Sequence, residues 1–387
     1  MGRSTVVWRD WAALAVSASL GLVLERHGNK FLKTLTAPLL ATLFGLAFTN
    51  LGFTPPQSAV YGVVNRILLP LAVPMLLFSA DMRKVIAETR RLLGVFLLGS
   101  LSTCISTIFA FWVCSSGLTA SLGGESWKIA SALASRHIGG AVNFIAVSQT
   151  LDIAGDSVAA ALAADNLICA LYFMAIFYLT RNIVGESDPS PAAAGEGAPA
   201  GEEGAGDQTI SVYQAAMAVG LSSAICLASS VLATQWIGKS GLLIPLATGI
   251  TVVLATAIPR KLAPVAEAGE GVANLIMQFF FAAVGASGSL AKVLSLAPLL
   301  FVFAFLQVFG SLGIILLSGK WSKYSLKEIV LASNANVGGP TTAAAMAATK
   351  GWRSYFIPAM LSGILGYVIA TFVAIGLGLV ALKPMTV

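Results

Sequence analysis

Charge is what this chain has least of. Only 10% of its 387 residues are charged, where a soluble domain carries about a quarter. With 57% hydrophobic residues and a mean hydropathy of +0.86, that scarcity excludes a water-soluble globule and leaves a multi-span membrane protein. Histidine is nearly absent: His27 and His137 stand far apart and offer no metal-ligand spacing. Cys104, Cys114, Cys169 and Cys226 all lie in apolar runs, which excludes a disulfide framework. No His/Glu metalloprotease motif occurs and titratable groups inside apolar segments are few, so no enzyme and no catalytic residue is expected. The net charge of +6 reports loop orientation in a membrane protein rather than a nucleic-acid partner. Met1 to Asp10 lacks the charged, apolar and cleavage-site order of a leader, so none is expected.

What is there is a run of apolar segments in two sets of six. The first set is Trp11–Leu24, Leu35–Leu51, Val60–Ala80, Leu92–Cys114, Trp127–Leu151 and Ser157–Leu179. The second is Val212–Trp236, Leu242–Ile258, Val272–Gly288, Leu299–Ser318, Leu326–Ala348 and Tyr355–Ala381. Between them Gly185–Asp207 is rich in Ala, Gly, Pro and Glu and has no aromatic residue, so it reads as a disordered acidic linker. The chain therefore divides into a first membrane repeat, 1–183, a linker, 184–208, and a second membrane repeat, 209–387.

The fifth segment of each set is interrupted in the same way. Ser135-Arg136-His137-Ile138-Gly139-Gly140-Ala141-Val142-Asn143 aligns with Asn334-Ala335-Asn336-Val337-Gly338-Gly339-Pro340-Thr341-Thr342 when the glycine pairs are superposed. Ser135 then meets Asn334, His137 meets Asn336 and Asn143 meets Thr342. A glycine pair lets the backbone leave the helix, and the freed groups survive in hydrocarbon only inside protein or beside a wet cavity. All four glycines are expected to be non-helical, with the two breaks close together. Matching broken helices in two halves point to a transporter's binding site. The substrate-binding candidates are Ser135, Arg136, His137, Gly139, Gly140, Asn143, Asn334, Asn336, Gly338, Gly339, Thr341 and Thr342. Asp165, with Asn166 beside it, is an acid inside the sixth segment, costly at that depth and a candidate for ion coupling. The alternative for Asp165 is a structural partner of Arg136 or His137. The substitution Asp165→Asn is expected to fold and to lose ion dependence.

Charge placement constrains topology. If the fifth segments are re-entrant, each half crosses five times and the halves are inverted. One face then collects Arg26, Lys30, Lys33, Arg83, Lys84, Arg90, Arg91, Arg181, Arg260, Lys261, Lys320, Lys323, Lys327, Lys350 and Arg353. The other has Arg3, Arg9, Lys128, Lys239, Lys292 and Lys383. Full crossing by the fifth segments balances the two faces and loses the positive-inside asymmetry.

The paired Gly-Gly segments resemble those of the sodium–glutamate and 2-hydroxycarboxylate symporters and, more distantly, of the bile-acid symporters and cation/proton antiporters. Ile138-Gly139-Gly140-Ala141-Val142-Asn143 and Asn334-Ala335-Asn336-Val337-Gly338-Gly339-Pro340 resemble most the membrane family known as domain of unknown function 819. The resemblance implies an all-α membrane protein of two inverted repeats, each with about five transmembrane helices and a Gly-Gly re-entrant or broken helix. It implies a homodimer in the cell inner or plasma membrane, or a plastid envelope. The expected function is sodium- or proton-coupled secondary transport of a small organic anion, a carboxylate or amino acid. No cofactor is expected beyond a bound sodium ion. The alternatives are a cation/proton antiporter without organic substrate and, from another class, a membrane-embedded enzyme.

Overall fold

A computed structural model describes residues 3–27, 37–89, 91–183, 185, 211–238 and 242–386. The linker expected over 184–208 lies outside them apart from Gly185. The described residues are all helix and connections, with no strand. The first half contains α1 (Arg3–His27), α2 (Ala37–Asn50), α3 (Ala59–Leu77), α4 (Met82–Thr89), α5 (Arg91–Leu122), α6 (Ser126–Gly139), α7 (Ala141–Thr150) and α8 (Gly155–Leu179). The second contains α9 (Val212–Trp236), α10 (Leu243–Ala257), α11 (Pro259–Ala286), α12 (Leu290–Trp321), α13 (Leu326–Val337), α14 (Pro340–Thr349) and α15 (Phe356–Leu377). Eight helical stretches are long and apolar enough to cross a membrane, and α2 and α10 are shorter apolar helices. The apolar runs are helical because hydrocarbon leaves backbone groups no other partner.

Local sequence explains the irregular places. Pro70 has no N–H to bond the turn before it, and α3 widens into a π turn over Val64–Leu68 just ahead of that residue. Pro259 opens α11 at the first helical position, where its missing N–H costs nothing. Helix α13 begins on a capping box, with Ser325 Oγ accepting from Glu328 N at 3.2 Å and Glu328 Oε2 accepting from Ser325 N at 2.8 Å.

Polar contacts sort the loops into two ends. At one end Met82 N donates to Thr256 Oγ1 at 3.2 Å, Arg91 pairs with Glu328 at 3.0 Å and Lys350 Nζ donates to Thr180 O at 3.1 Å. At the other Lys292 pairs with Asp156 at 3.1 Å, Ser58 Oγ donates to Asp10 at 2.6 Å and Leu290 N donates to Asn50 Oδ1 at 3.2 Å. The pair α6–α7 doubles back: Glu125, before α6, accepts from Ala154 N, after α7, at 3.0 Å. The pair α13–α14 does the same, with Lys327 Nζ 5.3 Å from the Trp352 ring centroid and 4.5 Å from that of Tyr355. Helices α5 and α12, from matching places in the halves, pack along each other between these hairpins.

Candidate functional site

Each hairpin turns on one glycine. Gly140 has φ +81°, ψ −174° and Gly339 has φ +84°, ψ −168°, a region open in practice to glycine alone. The hydrogen bonds repeat as well. Gly140 N donates to Arg136 O and Gly339 N to Ala335 O, at 2.8 and 3.2 Å. Phe144 N then returns to Gly140 O and Ala343 N to Gly339 O, at 3.4 and 3.3 Å. The expectation that all four glycines are non-helical holds for Gly140, Gly338 and Gly339 and is corrected at Gly139. Gly139 is the last residue of α6, and Gly338 stays in the right-handed region at φ −100°, ψ −19°. One positive-φ residue suffices to turn the chain, and the first glycine of each pair supplies room instead. A Cβ on Gly139 would lie 2.3 Å from Gly366 O, and one on Gly338 would lie 2.0 Å from Thr342 Oγ1.

The polar residues around the breaks satisfy the groups the breaks free. Asn143 Nδ2 donates to Gly139 O at 2.8 Å, and its Oδ1 accepts from Thr371 at 2.7 Å. Thr342 Oγ1 donates to Asn334 Oδ1 at 2.8 Å. Asn336 Nδ2 donates to Phe96 O at 3.1 Å and its Oδ1 accepts from Ser100 at 2.8 Å, reaching across to α5. Ser135 and Asn166 bond carbonyls of their own helices, Ala132 O and Leu162 O.

Beside the first break lies a buried charged network. Asp165 accepts from Arg136 Nε at 2.8 Å through Oδ2 and faces His137 Nε2 at 2.6 Å through Oδ1. His137 and Asp165 are 0% and 1% exposed. The other side of the imidazole fixes its protons. Thr107 Oγ1 donates to Thr103 O at 2.6 Å, so it accepts from Gln307 Nε2 at 2.7 Å. That orients Gln307 with Oε1 toward His137 Nδ1 at 3.0 Å, and Nδ1 must carry a hydrogen. Both ring nitrogens thus face acceptors, Gln307 Oε1 and Asp165 Oδ1. Cys169 Sγ lies 3.6 Å from Asp165, and His137, Asp165 and Cys169 present metal-capable atoms within 4.8 Å of one another. The Arg136 guanidinium, however, already supplies the carboxylate with the positive charge a metal would bring.

Helix α15 passes both breaks. A Cβ on Gly363 would lie 2.4 Å from Pro340 N, and one on Gly366 would lie 2.7 Å from Ile138 O, so only bare backbone fits at each crossing. Tyr367 lies beside both turning glycines, its ring 3.5 Å from a Cβ built on Gly140 and 3.4 Å from one built on Gly339.

This tyrosine lines a cavity of about 780 Å³. It runs between α3 and α11 on one side and α14 and α15 on the other, lined by Leu76, Glu270, Thr341, Thr349 and Tyr367 among others. Ser79 and Phe356 also line it, a few residues from Arg83 and Arg353. Of the residues expected to bind substrate, Thr341 alone is in its wall. The others are gathered behind the breaks. Sequence reasoning missed Glu270 and Tyr367. Starting the third segment of the second half at Val272 left Glu270 in a loop, whereas α11 begins at Pro259. The available signal was Pro259 as a helix opener, followed by Glu267 and Glu270 one turn apart.

The family described as "Protein of unknown function (DUF819)" matches residues 12–384. The chain is similar to "Uncharacterized membrane protein YjcL" of Bacillus subtilis (strain 168), 32% identical over 389 residues and covering 96% of each. With its apolar helices, that makes this a multi-pass integral membrane protein. By a match spanning nearly its whole length, the chain belongs to the DUF819 family.

Proposed function

We propose that the protein is a secondary active transporter that carries a small organic solute with proton coupling. The observation that carries this reading is the cavity lined by Tyr367, the residue that lies beside both turning glycines, Gly140 and Gly339. Its volume suits a small molecule and exceeds what a bare ion requires. Its walls come from two sets of helices, so sliding one set against the other would open and close it. In this reading each half crosses five times, the halves are inverted, and the cavity opens on the positive, cytoplasmic face. Behind the breaks Asn143 of α7 is bonded to Thr371 of α15, a contact that such sliding would have to part. The short His137–Asp165 contact favours proton over sodium as coupling ion, because a bound cation would compete with Arg136 for the same carboxylate. That engagement of Asp165 also weighs against a plain cation antiporter. Nothing in the network supplies a nucleophile with a free base, so a carrier is favoured over an enzyme.

The test starts with purified protein screened by thermal shift against carboxylates, amino acids and amines, in sodium and in potassium; ligands of the folded state raise its apparent stability. Solutes that stabilise are then offered to proteoliposomes. Accumulation driven by a pH gradient and indifferent to sodium is expected. Accumulation that follows a sodium gradient alone overturns proton coupling, and the absence of accumulation of any stabilising solute overturns transport.

A further inference from the structure

Glu270 is the one charged side chain lining the cavity among the described residues. It stands eleven residues beyond Pro259, the start of α11, roughly 16 Å along that helix at 1.5 Å per residue. An acid at that depth normally has a partner. Glu270 has no hydrogen bond or ion pair among the described residues, and its side chain is exposed to the cavity. Arg260 and Lys261 lie at the start of the helix, too far along it to reach. Neighbouring α10 contributes no basic residue over Leu243–Ala257, and the one on α3, Arg66, stands ten residues before Leu76, where that helix meets the cavity, roughly 15 Å away along it. The Arg136 guanidinium is held by Asp165 behind the break. The same cavity wall offers hydroxyls, from Thr341, Thr349 and Ser79, and the ring of Tyr367. A carboxylate, neutral acceptors and an aromatic ring are the groups that recognise an organic ammonium.

We propose that Glu270 is the subsite for a cationic group of the solute, so that the solute carries an ammonium, as an amino acid or an amine does. This rests on the cavity being the transport path and narrows the solute from an organic anion to one bearing a positive group. The missing counter-charge of Glu270 is supplied by the cargo.

The test needs no knowledge of the solute. Thr341→Cys is made in the full chain. Inside-out vesicles are treated with a trimethylammonium or a sulfonate methanethiosulfonate reagent, and the peptide carrying position 341 is followed by mass spectrometry. Rates are normalised to those of a free thiol. The cationic reagent should be favoured by at least about tenfold through the field of one nearby carboxylate in a low-dielectric space. Adding Glu270→Gln should abolish the preference. Adding Glu267→Gln, one turn nearer the end and outside the cavity wall, should leave it. A preference unchanged by Glu270→Gln, lost equally with Glu267→Gln, or absent from the start overturns the proposal. If neither reagent reaches position 341 in any variant, while Lys350→Cys at the same end is labelled, the transport-path reading fails instead.

Discussion

Gly140 and Gly339 adopt the same left-handed turn and lie against one another, a Cβ on the first falling 3.9 Å from the Cα of the second. Two hairpins from opposite halves of the chain thus meet tip to tip, with Tyr367 along both. Neither tip tolerates a side chain without strain, for different physical reasons at different glycines.

Gly339→Ala forces an L residue to φ +84°, at a cost on the order of 1–3 kcal/mol. Gly363→Ala meets Pro340 backbone at 2.4 Å and should lower stability further, because neither backbone can yield. Gly220→Ala, helical with nothing within 4 Å of its Cβ, should be neutral or stabilising by about 0.5–1 kcal/mol. Thermal unfolding of the three variants in one detergent checks that order, and equal effects would refute it.

Asp165→Asn cannot be as harmless as the sequence suggests. Neutralising an acid in an apolar segment eases insertion, but here it strips the partner from Arg136, which is 13% exposed. Breaking one side of a buried pair costs about 3–5 kcal/mol. The double variant Arg136→Gln with Asp165→Asn should be more stable than Asp165→Asn alone. A double variant less stable by the sum of both single losses would show that the pair contributes nothing as a pair.

The His137 assignment is directly measurable, since the chain has only two histidines. Nitrogen-15 spectra of histidine-labelled protein in lipid, with His27→Gln to leave one ring, should show Nδ1 protonated at neutral pH. An unprotonated Nδ1 would contradict the network. Gln307→Leu removes the acceptor at Nδ1 and should shift the ring signal.

The two ends of the molecule should lie on opposite sides of the membrane. Cysteines replacing Lys84 and Lys350 should escape an impermeant reagent added outside intact cells, while those replacing Lys128 and Lys292 should react. Reaction of Lys84→Cys and Lys292→Cys from the same side would rule out the sorting of ends described above.

Much of this was written along the chain. Ten long or short apolar helices and two hairpins fall where apolar segments lie, because a helix in hydrocarbon needs a run of apolar residues and little else. The turning points were visible as Gly-Gly because few backbones but glycine's take those angles. The Arg136–Asp165 pair was legible as an alternative, since an acid and a base in neighbouring apolar segments have few other partners.

What only the tertiary structure decided is which side of each break faces what. Asn336 bonds α5 and His137 bonds α12, partners about 200 positions away in sequence, 236 for Ser100 and 170 for Gln307. No local pattern encodes such pairings, which depend on how the two halves dock. Docking turns polar residues of α7 and α13 inward, where Asn143 bonds Gly139 O at the break, Asn334 bonds Thr342 and Asn336 bonds Phe96 O of α5, and it leaves Thr341 and Tyr367 in the cavity wall. Glu270 depends on the same cause: its surroundings in sequence read as loop, but α11, packed against α2 and α3, runs back to Pro259 and includes the acid. Helix length answers to the neighbours that bury it as well as to its own hydrophobicity.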